Sequence, residues 1–208
     1  IGALNDARPE THRVLIIESQ RKISSQRWHI QRAHFLVASM RRFAEELRSE
    51  GFEVDYRFAE TMAMGLAAHR TEYSPSGVVV TEPNSFVAQT LVASLDVEVV
   101  RSNQFLCHPA EYSEFMGTRK TIKMEDFYRW QRRRLNIMMD GNEPAEGQWN
   151  FDAENRLPPP KTGHDRWPTP HAYELDELDR QVIADVAGNT WGDVPTGVWA
   201  TTRAEALE

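Results

Sequence analysis

Arg13-Val-Leu-Ile-Ile-Glu18 decides the fold. Four consecutive aliphatic residues, closed by polar ones, read as a short strand buried in a parallel sheet. The stretch that follows over 29–50 has a different period. Ile30, Ala33, Val37, Met40, Ala44 and Leu47 recur at spacings of three and four, and Gly51 supplies a stop, so this is an amphipathic helix. Phe52-Glu-Val-Asp-Tyr-Arg57 then alternates like a strand, and 61–70 reads as helix. Gly77-Val-Val-Val-Thr81 is a second strongly apolar strand ended by Pro83, 85–95 suits a helix, and Val97-Glu-Val-Val-Arg101 is the next strand. Strands alternating with helices predict an α/β fold, a Rossmann-like parallel sheet flanked by helices. Ligands of such sheets sit beyond the carboxyl ends of the strands. Three polar clusters emerge there: Glu18-Ser19-Gln20, Thr81-Glu82-Pro83 and Arg101-Ser102-Asn103. After Phe105 the pattern becomes a helical connector segment. Helices are expected over 109–116, over 124–139 (with Arg129, Arg132, Arg133 and Arg134) and over 174–187, with a Gly- and Pro-rich stretch at 141–170.

Composition narrows the function classes. The 208 residues are 40 % hydrophobic and 26 % charged, enough for a real core. The single cysteine, Cys107, excludes a disulfide framework. It also cannot by itself hold zinc or an iron–sulfur cluster. It fits a reducing compartment, so the expected location is cytoplasmic. No apolar run approaches the roughly 20 residues of a membrane helix. A net charge of −7 predicts weak contact with DNA unless a local patch supplies it. No glycine-rich dinucleotide fingerprint, phosphate-binding loop or Gly-x-Ser-x-Gly elbow occurs. Cys107 beside His108 reads as a small buried hydrophobe rather than a nucleophile. His29 and His34 lie five apart on one helix, which does not align two metal ligands on a face, so a packed or hydrogen-bonded role is expected. The run Arg132-Arg-Arg134 reads as a solvated helix face or an interdomain contact, with phosphate contact as the other reading.

Trp149-Asn-Phe-Asp-Ala-Glu-Asn-Arg156, preceded by Gly147 and followed by Pro158-Pro-Pro-Lys161, is more specific. It resembles the bacterial deoxyribodipyrimidine photolyase-related proteins, the iron–sulfur branch of the photolyase/cryptochrome superfamily. Met40-Arg-Arg-Phe-Ala-Glu-Glu-Leu47 with Gly51, Val80-Thr-Glu-Pro83, Arg119-Lys120, Met124-Glu-Asp-Phe-Tyr-Arg129 with Arg132-Arg133, and Thr202-Arg203-Ala-Glu-Ala-Leu207 agree in order. The resemblance implies an antenna-type α/β domain over 1–140, a connector over 141–200, and at 201–208 the start of a helical flavin domain. It implies further that the chain opens after the family's first strand, and that FAD and the iron–sulfur cluster belong to a region beyond Glu208. The parent protein would then perform light-driven repair of DNA photolesions, of the (6-4) type, with no repair by this part alone. The alternative is a cryptochrome-like light-sensing or protein-interaction module.

The same resemblance implies a lumazine-type antenna contacted by Glu18 and Leu36 and walled by Glu82 and Pro83. Each has a plainer reading. Glu18 caps a neighbouring loop or helix, Leu36 is core, and Glu82 and Pro83 end a strand. Lys22 and Ser25 stand where relatives carry an acidic and an aromatic residue, so that side of the pocket is altered. Trp149 and Phe151 are expected to pin the connector by apolar burial, and Asp152, Glu154 and Arg156 to order it by ion pairs and hydrogen bonds. Without the first strand an unpaired sheet edge is expected, a surface for homodimerisation.

Overall fold

The computed structural model describes residues 2–152, 158, 161–163, 168–169 and 171–208. Glu154 and Arg156 of the connector motif lie outside the described residues. The chain divides into two units, residues 1–100 with 169–208, and residues 101–168.

In the first unit the aliphatic run forms β1 (Arg13–Ser19), followed by the short helix α1 (Gln20–Ser24), β2 (Trp28–His29) and the 20-residue α2 (Ile30–Ser49). The expected second strand is β3 (Glu53–Ala59), which runs parallel to β1 from Arg13 opposite Glu53 to Ser19 opposite Ala59. α3 (Met62–Tyr73) leads to β4 (Val79–Thr81), and α4 (Phe86–Ala93) leads to β5 (Glu98–Val100). β4 and β5 are also parallel. Mixed α/β character and parallel pairing therefore agree with the sequence. Among the described residues, however, β1–β3 and β4–β5 are separate two-stranded ladders, not one sheet.

α2 is a helix for reasons visible in its sequence. His29 caps it through Nδ1, which accepts from the Gln31 N–H. Gly51, with φ of +94°, turns the chain out just past its end, where an L side chain would be strained. Its buried stripe meets α7 (Glu177–Val186), and Ile30, Ala33, Val37, Ala38, Val182 and Val186 form one apolar cluster. Fully burying a valine or isoleucine contributes about 1.5–3 kcal/mol, so this seam is a main source of order in the unit. α3 lies close on β1 at Gly65, where an added Cβ would stand 2.8 Å from Ile17 Cγ2. The carboxyl-terminal segment returns as β8 (Thr190–Trp191), which pairs in parallel with β2.

The polar half of the α2–α7 seam is buried as well. His34, 2 % exposed, bonds through Nε2 to Asp179 Oδ1 at 2.8 Å. Arg42 holds both Asp179 oxygens at 2.9 Å and reaches Thr201 Oγ1 at 2.6 Å and Asp176 at 2.8 Å. Asp179 also closes a capping box with Asp176, which starts α7 at Glu177 rather than at 174 as the periodicity suggests.

In the second unit α5 (Pro109–Met116) begins with a capping box between His108 and Glu111. α6 (Met124–Leu135) stops four residues short of the expected end because Asn136 turns left-handed, with φ of 53°. A short hairpin follows, β6 (Met139–Asp140) against β7 (Glu143–Pro144). Aromatic rings fill this small unit: Phe115 lies 4.9 Å from Trp130, and Tyr112 lies 5.4 Å from Phe127. No helix among the described residues is long and apolar enough to cross a membrane.

Burial works to raise the Asp179 carboxyl, but hydrogen bonds from Arg42 and the Asp176 backbone outweigh it and hold the group below its usual range. The unfolded aspartate titrates near about 3.9. The folded form therefore binds protons less readily, and this stabilisation is complete above roughly pH 5 and lost as the pH falls through the unfolded and then the folded value. Asp179→Asn is expected to destabilise the protein by about 3–5 kcal/mol at pH 7 by leaving Arg42 short of its buried partner. In urea denaturation at pH 7 and pH 3.5, the gap between wild type and variant should narrow at the lower pH. An equal gap at both would assign the stability elsewhere.

Candidate functional site

Glu18 lies at the carboxyl end of β1, the edge at which the sequence places a ligand, and is 6 % exposed. Its carboxylate is gripped by Arg41 of α2, Nε to Oε2 at 3.1 Å and Nη2 to Oε1 at 3.0 Å. Tyr56 of β3 donates its hydroxyl to Oε2 at 2.6 Å. The same Arg41 reaches Asp185 of α7 through Nη1 at 2.8 Å. Glu18 thus joins β1, α2, β3 and α7. Burial first, then the bond to Glu18, push the Tyr56 phenol well above its usual range. Charge-assisted and bidentate bonds of this kind are the strong ones.

Leu36 projects from α2 with 44 % of its surface exposed, so it is not core. Beside it, Phe35 enters an open hollow of about 480 Å³ lined by His29, Gln31, Arg32, Phe35 and Trp199. Trp199 donates its indole N–H to Gln31 Oε1 at 3.3 Å and lies 6.2 Å from Phe35, ring to ring. Arg32 stacks on Trp28 at 4.1 Å. At the end of β4, the Glu82 N–H donates to Val100 O at 2.7 Å, and the Pro83 carbonyl accepts from Gln89 Nε2 at 3.0 Å, so both help to end the strand and start α4. None of Glu18, Leu36, Glu82 and Pro83 lines the hollow. Trp199, which does line it, carries no local sequence signal for this place because it arrives from the far end of the chain.

Lys22 lies within α1 and Ser25 caps its end; the Lys22 N–H is taken by Ser19 Oγ, and the Ser25 hydroxyl donates to Lys22 O. His29 packs edge-on to Trp191 at 4.7 Å. The Cys107 thiol is pushed up by burial, so it lacks the thiolate character of a nucleophile. Among the described residues no group of three or more His, Cys, Asp and Glu could hold a metal ion.

The second unit assembles arginines around the start of the connector. Arg132, 6 % exposed, donates Nη1 to Trp149 O at 2.9 Å and Nε to Ile137 O at 3.2 Å, and also bonds Met138 O and the Tyr128 hydroxyl. It is therefore a buried scaffold for the loop, not part of a solvated face. Arg129, Arg132 and Arg133 stand 5.3, 5.3 and 4.6 Å from the Trp149 ring. Trp149 and Phe151 are half-buried.

A parallel-stranded α/β unit joined to an arginine- and aromatic-rich connector has a counterpart among known proteins. Residues 1–199 match the deoxyribodipyrimidine photo-lyase-related protein family. The chain belongs to that family. It is 29 % identical over 222 aligned positions to a (6-4) photolyase of Agrobacterium fabrum, an alignment covering 99 % of this chain and 43 % of that protein. It is 21 % identical over 141 positions to an uncharacterized protein of Acanthamoeba polyphaga mimivirus, covering 62 % of this chain and 72 % of that one. This chain thus spans less than half the length of the photolyase it matches.

The Tyr56–Glu18 bond has a measurable consequence. A phenol raised in the folded state stabilises fully below its unfolded value of about 10 and loses that contribution as the pH climbs through the folded one. Tyr56→Phe is therefore expected to be less sensitive than wild type to alkali between pH 9 and pH 11.5 in thermal unfolding. Parallel curves for the two proteins would show that Tyr56 does not govern the alkaline limb.

Proposed function

We propose that this chain is the antenna-type α/β part, with its connector, of a flavin-dependent protein that uses light to repair (6-4) lesions in DNA. The observation that carries the reading is the alignment with a (6-4) photolyase over 99 % of the chain. Residues 1–140 form the antenna-type part, 141–200 the connector, and 201–208 open a helical domain. With one cysteine in 208 residues, the cluster and the FAD belong to a region outside these residues. When bound, the flavin supplies the electron chemistry, and the protein supplies position and electrostatics. The location is cytoplasmic.

We further propose that β1–β3 and β4–β5 are two halves of one doubly wound sheet. Both pairs are parallel, and among the described residues β1 and β4 each carry one ladder partner. One more parallel strand between them would complete a Rossmann-like order, and the edges of β1 and β4 that carry no ladder partner among the described residues are the surfaces for a homodimer.

A lumazine-type antenna would be held near Glu18, Leu36, Glu82 and Pro83. Two features fit it. Leu36 offers an exposed apolar wall. Glu18 Oε1 takes one bond where Oε2 takes two, so an acceptor direction remains for a ring N–H or a ribityl hydroxyl. Those residues orient the ring, and the apolar wall excludes water from one of its faces.

Two measurements test the reading. Added 6,7-dimethyl-8-ribityllumazine should bind the chain with a shifted absorption band, and Leu36→Trp should weaken binding at least tenfold while circular dichroism stays unchanged. Wild-type affinity in the variant would remove the antenna site. The protein extended past Glu208 should restore (6-4) lesions under blue light. A flavin-loaded extended protein that absorbs light and repairs nothing would overturn the repair assignment in favour of a light-sensing role.

A further inference from the structure

We propose that the arginine face of α6 docks the phosphodiester backbone of a nucleic acid. The first support is charge distribution. Residues 101–168 carry eleven Lys and Arg against ten Asp and Glu, a net +1, while the rest of the chain holds thirteen against twenty-one, a net −8. Within 119–134 the imbalance is seven cations to two carboxylates, Glu125 and Asp126. Residues 19–44 hold six further cations and no carboxylate, but two of them, Arg41 and Arg42, are neutralised by Glu18, Asp185, Asp176 and Asp179. A basic surface on an otherwise acidic molecule attracts a polyanion to itself.

The second support is how these cations are held. Among the described residues every acceptor of the Arg132 guanidinium is neutral, a backbone carbonyl or the Tyr128 hydroxyl. Among the described residues its charge is not cancelled by a carboxylate. Arg133 is exposed and stacked at 4.6 Å on Trp149, and among the described residues it too has no carboxylate partner. Arg129 pairs with Glu125 at 2.9 Å, with both side chains about 40 % exposed, a surface pair worth less than about 1 kcal/mol and readily exchanged. Three guanidiniums around one indole repel one another, and an anion between them relieves that repulsion. Arg129 and Arg133 are four residues apart on the helix, about 6 Å along its axis, both flank Trp149, and each presents a planar fork suited to phosphate. Arg134 differs: it is tied to Glu111 at 3.3 Å, and Glu111 is drawn down to about 2 by its bonds to Arg101 and to the His108 backbone. Because the ring of Trp149 is already covered by guanidiniums, the surface is built for backbone phosphate and not for stacking bases.

The choice of a nucleic acid as the polyanion rests on the proposed function, but the experiment is independent of light and lesion. Binding of the 208-residue chain to an undamaged, fluorescein-labelled 20-base-pair DNA duplex is followed by anisotropy in the dark between 50 and 200 mM salt. Wild type is expected to bind with micromolar affinity at the low end. Each phosphate neutralised adds about 0.9 to the slope of log affinity against log salt. Arg129→Gln with Arg133→Gln should therefore lower the slope by about 2 and weaken binding roughly tenfold at 50 mM salt. Arg21→Gln with Arg27→Gln, which removes the same charge from exposed positions in the other unit, should change affinity less than twofold. Equal losses in the two double variants, or no salt-dependent binding by wild type, would overturn the proposal. So would a dimer in analytical ultracentrifugation that Arg129→Gln with Arg133→Gln dissolves while DNA affinity is untouched, for then the face joins two copies. Failure here leaves the photolyase reading standing, and failure of repair leaves this surface standing.

Discussion

Two neighbouring arginines on α2 hold the first unit together. Arg41 joins Glu18 on β1 to Asp185 on α7, and Arg42 joins Asp179 and Asp176 at the start of α7 to Thr201. Side chains one residue apart on a helix point about 100° apart, so the pair grips on two sides of the apolar seam of Val37, Ala38, Val182 and Val186. Apolar contact alone would let α7 slide or rotate along α2, because dispersion and burial have little directionality. The ion pairs fix that freedom. They do so at a desolvation cost that makes each partner indispensable once the other is present. Residues 169–208 are thereby bound to a sheet that begins more than 150 residues earlier in the chain.

This wiring also reshapes the view of Glu18. Position alone, at the carboxyl edge of a parallel strand, marks it as a ligand contact. Its partners show that it first serves the fold, since three bonds from Arg41 and Tyr56 keep a nearly buried carboxylate in place. The proposed ligand contact is compatible with this structural duty, because a carboxylate so fixed would not rotate away from a ligand, and preorganised groups bind without ordering cost. Leu36 is the complement. A leucine left 44 % exposed on a helix whose other face is a dry seam gains nothing for the isolated unit.

The elements legible in the sequence were those with strong periodicity. The aliphatic run at 13–18, the helix over 29–50 with its glycine stop, and the strands at 77–81 and 97–101 all lie close to the observed β1, α2, β4 and β5. Their parallel pairing followed from alternation with helices. What stayed hidden depends on tertiary contact. Arg41 and Arg42 look like any polar pair on a helix until Asp179 and Asp185 arrive from α7. Asp176 and Asp179 did carry a local signal, the capping box, which fixes the start of the helix better than its apolar period does. Trp199 and its hollow were invisible because Gln31 and Phe35, its neighbours, lie more than 160 residues away. The arginine run illustrates the converse. Spacing alone treats Arg132, Arg133 and Arg134 as one solvated patch, yet one is buried on carbonyls, one stacks on Trp149 and one is paired to Glu111.

The two units use opposite solutions to the same problem. The first buries charge in matched pairs, with Asp179 and Glu18 each answering an arginine, so its interior is near neutral and its acidic excess faces solvent. The second is smaller, and a small body buries a lesser fraction of its surface. It is ordered instead by rings and guanidiniums, with Phe115, Phe127 and Trp130 packed together and Arg132 bonded to carbonyls. An arginine satisfied by carbonyls leaves its positive charge uncompensated, whereas one paired with a carboxylate has its charge balanced by the partner. The structural choice that fastens the connector therefore also leaves field outside it. In an otherwise acidic protein, stability and electrostatic surface are set in that unit by the same residues.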